Sequence, residues 1–298
     1  MTLAGRRRLD LELVRRGLAD SRQQAAQAIA AGRVLVAGSV ADKAARLVSA
    51  DEALLVQGPP APFVGRGGEK LDAALHHFGI DVAGRTALDA GASTGGFTDC
   101  LLQRGARLVA AVDVGRGQLH PRLRSDARVL VSEGTNVRSL PLAVTAAGPY
   151  DIVVADLAFI SLRTVAGALA GPVAVEGADL VWLVKPQFEV GRVEASRGRG
   201  VISDPGLWRA AVEAVIDALV SAGAAIMGVM VSPIRGAQGN VEFLLHGRAH
   251  SGSSGHAADA ADTHAIGAAG TAGTTAAGTV AGLDRALAAA GELIGEGA

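Results

Sequence analysis

The run Asp89-Ala90-Gly91-Ala92-Ser93-Thr94-Gly95-Gly96 follows a short apolar stretch and precedes a helical pattern, so its glycines let a bound molecule approach the main chain closely. Its spacing is not the G-x-G-x-x-G of a dinucleotide site, and it has no lysine of a phosphate-cradling P-loop. Asp113 lies 22 positions after Gly91, at the end of the next apolar run, where a carboxylate can accept both hydroxyls of a ribose. A ribose-binding acid beside a loop without a pyrophosphate cradle suits S-adenosylmethionine better than a nicotinamide dinucleotide. The plain alternative is a glycine turn with Asp113 as a helix N-cap.

Two lysines and two carboxylates stand at comparable places. Lys70 lies in VGRGGEKL ahead of the first strand, Asp156 ends a strand in VVADLAFISL, Lys185 ends another in WLVKPQFE, and Glu242 reads as part of a strand in GNVEFLL. Strand ends and their loops face one cleft in an open α/β sheet, and opposite charges stay ionised there by pairing. Any one of the four could be a surface ion pair. Lys185, between the apolar run Leu180 to Val184 and Pro186, is the least surface-like. His76, His77 and His120 have no ligand-like neighbours and read as surface or packing residues, so no metal is required. Cys100, beside Leu101 and Leu102, reads as a small buried hydrophobe.

Such positions need a frame. From residue 84, strands at Thr86 to Asp89, Val109 to Val112, Val129 to Ser132, Ile152 to Ala155, Leu180 to Val184 and Ile226 to Val231 alternate with helical patterns, one from about Phe97 to Arg104. That alternation describes a parallel sheet with crossover helices. Before it, Leu9, Leu13 and Val14 recur at helical spacing up to Gly17, and Ser21 offers an N-cap for a second helix that Gly32 ends. Val34 to Val36 then form a strand, Gly38-Ser39 a turn, and residues 47–56 further extended segments. Gly58-Pro59-Pro60-Ala61-Pro62 separates the two parts. Net charge is -1, yet residues 1–50 hold nine basic against four acidic side chains. Arg6, Arg7, Arg8, Arg15, Arg16, Arg22 and Arg33 fall at or near the ends of the two helices, where they could follow a phosphate backbone or form a solvated charged face.

At 49% hydrophobic and 19% charged, 298 residues support a sizeable core and two domains, which excludes wholesale disorder. Neither a secretory signal nor a run of about 18 apolar residues occurs, which reads as a soluble cytoplasmic protein. Residues 251–282 contain 11 Ala, 7 Gly, 5 Thr and 3 Ser without bulky anchors, the composition of a disordered insert. Leu283, Leu287 and Ile294 mark a short helix within 283–298.

The pattern R-L-D-x-x-L-V-R-R-G-L-x-x-S-R-x-x-A-x-x-x-I-x-x-G-x-V-x-V-x-G at Arg8 to Gly38 resembles the S-four-like RNA-binding domain, which implies recognition of structured RNA by shape and phosphates. Lys70, Asp156, Lys185 and Glu242 resemble the Lys-Asp-Lys-Glu tetrad of FtsJ-like ribose 2′-O-methyltransferases. With V-x-R-G-G-x-K-L, D-A-G-A-S-T-G-G-F-T-D, D-L-x-F-I-S-L, V-K-P-Q-F-E and G-N-x-E-F, residues 6–246 resemble the TlyA family of ribosomal RNA cytidine 2′-O-methyltransferases, also labelled haemolysins.

The resemblance implies an α/β protein in which residues 1–58 are a small α+β RNA-binding domain, 59–66 a linker, and 67–250 a Rossmann-like doubly wound methyltransferase domain. It implies S-adenosylmethionine as cofactor, with Gly91, Ala92, Ser93, Thr94, Gly95, Gly96 and Phe97 around the methionine part, Asp113 at the ribose and Asn136 near the adenine. Lys185 would act as base or as stabiliser of the developing alkoxide, Asp156 would orient it, and Glu242 would pair with the lysines. The partner implied is ribosomal RNA (16S and/or 23S) within ribosomal subunits, with no membrane. Gly65 stands where relatives often carry serine, in a proline-stiffened linker. A non-catalytic ribosome-binding protein with a methyltransferase-like fold is the rival reading; a secreted membrane-lytic protein has no supporting segment.

Overall fold

The computed structural model describes residues 6–19, 21–59, 61–140, 142–191, 200–236, 238–250 and 272–295. Near the amino terminus, β1 (Arg7–Arg8) leads into α1 (Leu9–Arg15), whose Leu9 and Leu13 share one face and meet Ala25 and Ile29, spaced alike on α2 (Arg22–Ala30). Ser21 caps α2 by accepting the Gln24 N–H, and Gly17 and Gly32 follow the two helices at φ +68° and +67°. The strands β2 (Val34–Val36), β3 (Ser39–Val40) and β5 (Leu54–Val56) form an antiparallel sheet in the order β3-β2-β5, while β4 (Leu47–Val48) pairs with β1. Alternation turns Val34 and Val36 onto the helices and closes a small core with Ala41 and Val48.

The second part runs α3 (Gly67–His77), β6 (Thr86–Ala90), α4 (Gly96–Gln103), β7 (Leu108–Asp113), α5 (Pro121–Arg124), β8 (Val129–Glu133), α6 (Leu142–Ala147) and β9 (Tyr150–Ala155). After a 3₁₀ turn at Leu162–Thr164 come α7 (Ala166–Ala170), β10 (Ala174–Val184), α8 (Pro186–Glu189), α9 (Pro205–Ser221), β11 (Ala224–Val231), β12 (Phe243–Ala249) and α10 (Ala272–Gly295). Seven strands line up as β11-β12-β10-β9-β6-β7-β8, and β6 to β10 run parallel, as the apolar strands separated by helices require. β12 alone runs against its neighbours β10 and β11. Alternate strand residues feed two cores, meeting the helix residues Leu71, Leu75, Phe97, Cys100 and Leu101 on one face and Trp208, Val212, Leu219 and Leu283 on the other. Cys100 is buried as its neighbours suggested, and burial pushes its thiol up to about 12.

Three features differ from the sequence reading. β10 begins at Ala174, six residues before Leu180, with an irregularity between Ala174 and Asp179. Glu242 is not a strand residue: it ends the loop before β12, and its carbonyl accepts from the Ser232 N–H. The terminal helix is not short. It spans Ala272–Gly295, so residues 272–282 of the expected insert are helical, while 251–271 lie outside the described residues. Its Leu283, Ala286 and Ala290 are buried, Leu287 packs beside them, and the helix lies on β11, so two leucines and two alanines share the docking.

Candidate active site

β6 is flanked by β7 and β9, so the winding of the sheet reverses there and the carboxyl ends of β6 and β9 open a crevice. The glycine loop leaves β6 at this point. Gly91 turns it at φ +92°, the N–H groups of Gly91 and Ala92 donate to the Val112 carbonyl, and a Cβ on Gly91 would stand 2.5 Å from the Asp156 carbonyl oxygen. At Gly96 a Cβ would meet the Gly68 main-chain nitrogen at 2.9 Å, so α3 and α4 touch through glycines. That close approach brings Lys70, one turn into α3, to the crevice.

A cavity of about 720 Å³ occupies the crevice, within the range that holds a small-molecule ligand. Gly91, Ala92, Ser93, Thr94, Gly96, Phe97, Asp113 and Asn136 line it together with Lys70, Asp156, Lys185 and Glu242. Of the expected cofactor residues only Gly95 is absent from the wall; it starts α4 at φ +99°, against Leu123. Asp113 Oδ2 accepts from the Ser93 N–H at 2.8 Å and Oδ1 from the Gly115 N–H at 2.6 Å, which fixes the carboxylate and leaves acceptor capacity on both oxygens. Beneath the loop, Asp89 is wholly buried and receives the Thr98 hydroxyl at 2.6 Å. Burial outweighs that bond and, with the negative charges of Asp156 and Asp113, pushes the Asp89 carboxyl up to about 7.

The four charged residues form two ion pairs. Lys70 Nζ pairs with Glu242 Oε2, at 7% and 3% exposure respectively. Lys185 Nζ lies 2.5 Å from Asp156 Oδ1, a charge contact whose direction is not that of an aligned hydrogen bond, and solvent reaches both side chains. Register explains the convergence. Val184, the last residue of β10, faces Phe243, the first of β12, so Lys185 and Glu242 leave the sheet side by side. The Lys70 charge is thereby matched by Glu242, so Glu242 pairs with one lysine and not with both.

The amino-terminal arginines are not gathered into one free patch. Arg8 and Arg22 share buried Asp10, and Arg15 and Arg16 share buried Glu12. The Arg8 guanidinium is the chief cause that holds the Asp10 carboxyl down to about 2, and Arg15, then Arg16, hold Glu12 down to about 2. Arg16 also donates to the carbonyls of Ser49, Ala50 and Glu52, and Arg33 donates to those of Gln57 and Pro59, so these two fasten loops. Arg6 and Arg7 are exposed. His76 and His77 are exposed on α3, and His120 Nδ1 accepts the Arg122 N–H. Among the described residues no group of three or more His, Cys, Asp or Glu is placed to hold a metal ion.

Sequence reasoning missed Phe159 and Arg66, which also line the cavity. Phe159 is 92% exposed at φ +64°, and its ring centroid lies 5.4 Å from that of Phe188. A bulky residue at positive φ in open solvent is costly to keep. The available signal was an aromatic three positions after a strand-end carboxylate, in a chain with only 3% aromatic residues.

Comparison with known proteins adds to this geometry. Residues 63–249 match the FtsJ-like methyltransferases, and residues 7–54 match the S4 domain. The sequence is 53% identical over 245 residues to the 16S/23S rRNA (cytidine-2′-O)-methyltransferase TlyA of Mycobacterium tuberculosis, covering 82% of this chain and 90% of that protein. It is 38% identical over 244 residues to Hemolysin A of Brachyspira hyodysenteriae, covering 80% and 98%. A solved structure from Streptococcus thermophilus is similar with a TM-score of 0.66 at 38% identity, covering 83% of this chain and 90% of that one.

Proposed function

The chain belongs to the FtsJ-like methyltransferase family, with an S4 domain ahead of the catalytic one, and from that premise we propose that it methylates the 2′-hydroxyl of a cytidine ribose in ribosomal RNA. The observation that carries the proposal is the meeting of Lys70, Asp156, Lys185 and Glu242 in one cavity with the glycine loop and Asp113. The proposed partner is ribosomal RNA within a ribosomal subunit, met in the cytoplasm. Among the described residues no helix is long and apolar enough to cross a membrane.

The residues present fit S-adenosylmethionine: Gly91 to Thr94, Gly96 and Phe97 line one cavity with Asp113, which has acceptor capacity for two ribose hydroxyls. Exposed Val114 and buried Val137, both in the cavity wall, offer apolar surface to an adenine near Asn136. When bound, this cofactor supplies a sulfonium methyl already activated toward an oxygen nucleophile. The protein then has to place the hydroxyl in line, exclude excess water and accommodate the charge that develops as the proton leaves.

Lys185 is the group proposed to meet that charge. Its ammonium is held by Asp156, and Lys70, whose charge would otherwise disturb it, is occupied by Glu242. The hydroxyl proton would pass to the Asp156 carboxylate, the member of the pair that can accept it, and from there to solvent, which reaches that side chain. Phe159 at the cavity mouth offers an open ring face on which the target base can stack once it leaves its helix. The amino-terminal domain supplies phosphate contacts that position the RNA.

The test incubates ribosomal subunits and tritiated cofactor with wild type and with Lys185→Ala. The proposal requires label on RNA from wild type and its near-complete loss in the variant. Equal labelling by both would remove the proposed site, and none by either would favour a binding protein that has kept only the fold.

A further inference from the structure

The four-residue helix α8 follows Lys185 directly, and both of its last side chains reach the loop that follows Asp156. Glu189 is 6% exposed. Its Oε1 accepts the Leu162 N–H at 2.8 Å, and its Oε2 accepts the Ser161 hydroxyl at 2.5 Å. The Ser161 Oγ in turn accepts the N–H of Arg163, capping the 3₁₀ turn, so its hydroxyl has one orientation available. Phe188, the preceding residue, packs against Phe159. At its other end the loop is fixed by the Asp156 N–H, which donates to the Ala90 carbonyl.

A carboxylate costs free energy when it is buried, and burial raises the Glu189 carboxyl above its ordinary range against the lowering effect of Ser161, Leu162 and Arg163. The fold keeps that cost at a point where Glu189 ties the segment bearing Lys185 to the one bearing Asp156 and Phe159, through Leu162, Ser161 and a 3.6 Å charge contact with Arg163. The mechanism above does not use Glu189. We propose that Glu189 is a positioning residue: by tying α8 to Ser161 and Leu162 it sets the Lys185–Asp156 contact and holds Phe159 at the cavity mouth. The inference rests on the proposed 2′-O-methylation, since it assigns a role within that site.

Its consequence is a particular split. Ser161, Leu162 and Glu189 stand outside the cavity wall that holds Asp113 and the glycine loop, so loss of the tether falls on turnover and RNA engagement and spares cofactor affinity. Glu189→Ala leaves the Leu162 N–H and Ser161 hydroxyl without their acceptor. A misplacement on the ångström scale at the reacting groups lowers kcat by roughly 10- to 100-fold. Glu189→Gln keeps a carbonyl for the Leu162 N–H and offers an N–H to the Ser161 oxygen in place of the exposed Arg163 Nε–H that this oxygen now accepts, so it restores part of the rate.

The experiment measures, for wild type, Glu189→Ala and Glu189→Gln, kcat and KM on ribosomal subunits, the cofactor Kd by calorimetry, and hydrogen exchange of the amides at 157–163. The expected result is a fall in kcat for the alanine variant with cofactor Kd within about twofold of wild type, exchange at Leu162 faster by about tenfold or more, and partial recovery in the glutamine variant. Three results would overturn it: cofactor affinity falling in step with kcat, unchanged exchange at Leu162 in the alanine variant, or a glutamine variant no better than alanine. If wild type labels no RNA, the functional reading fails separately, because the exchange data still decide whether the tether exists.

Discussion

Gly91→Ala probes the link between the glycine loop and Asp156, the carboxylate proposed to hold Lys185. The added Cβ would stand 2.5 Å from the Asp156 carbonyl oxygen, whereas ordinary contact begins at 3.4 Å, so about 0.9 Å must be found. No rotamer can find it, because the obstacle is main chain. The retreating atom belongs to Asp156, whose side chain touches Lys185. A displacement of about 1 Å in a reacting geometry costs about 10²-fold in kcat. The φ of +92° adds backbone strain of about 1–2 kcal/mol for any side chain, and the overlap about 1–3 kcal/mol more. Together these lower Tm by roughly 5–15 °C for a domain of this size. Gly105→Ala is the control: φ is +88°, but its Cβ would lie 3.5 Å from Ala83, at ordinary contact distance and away from the cavity. It should share the strain and keep kcat. Single-turnover methylation at saturating cofactor, with thermal unfolding of both variants, decides the matter. Matching unfolding losses in the two variants, with Gly91→Ala keeping kcat within about threefold of wild type, would refute the reasoning.

Other outcomes follow from the same geometry. Lys70→Ala leaves Glu242 buried without its partner and should destabilise the protein by about 3–5 kcal/mol, and adding Glu242→Ala should recover part of that loss in thermal unfolding without restoring methylation. Phe159→Ala should raise KM for ribosomal subunits by roughly 10- to 100-fold, the worth of one base-stacking contact, while calorimetry shows an unchanged cofactor Kd. Asp113→Asn should weaken cofactor binding by about tenfold or more with kcat at saturation largely kept, again by calorimetry and steady-state rates. Asp10 and Glu12 have folded-state pKa values depressed to about 2, so the stability they contribute is complete above the ordinary carboxylate range and is lost as pH falls from about 4 toward about 2. Exchange protection of the Ile29 and Val36 amides in the intact chain should fade over that window in wild type and change far less in Asp10→Asn/Glu12→Gln.

What could be read from residues alone was whatever a parallel sheet places by rule. Strand ends collect at one edge, so Asp113, Asp156 and Lys185 could be assigned to a common crevice from the apolar runs before them, and Gly91 from its place between strand and helix. Pairing was harder. That Lys70 meets Glu242, 172 positions away, depends on the glycine contact of α3 with α4 and on the register of β12, neither of which has a local signal. The Glu12 pairs with Arg15 and Arg16 did have one, at i+3 and i+4 on a helix, and it predicts that those charges are partly neutralised. The start of α10 was hidden for a different reason: its first residues are rich in alanine, glycine and threonine, and such composition is ambiguous between a helix former and a featureless spacer.

The lone antiparallel strand also bears on the order in which a ribosome makes this protein. β12 lies between β10 and β11, so the sheet cannot close until residue 249 has emerged, and Glu242 comes after every other member of the cavity wall. Until then Lys70 has no counter-charge and β11 no neighbour to pair with. A nascent chain stalled before that point therefore holds most of the cavity wall and the Lys185–Asp156 pair but lacks the Lys70–Glu242 pair, and completion is a long-range, late and cooperative event. A protein whose substrate is the RNA of the machine that synthesises it thus completes its cavity only late in its own synthesis, once β12 has emerged.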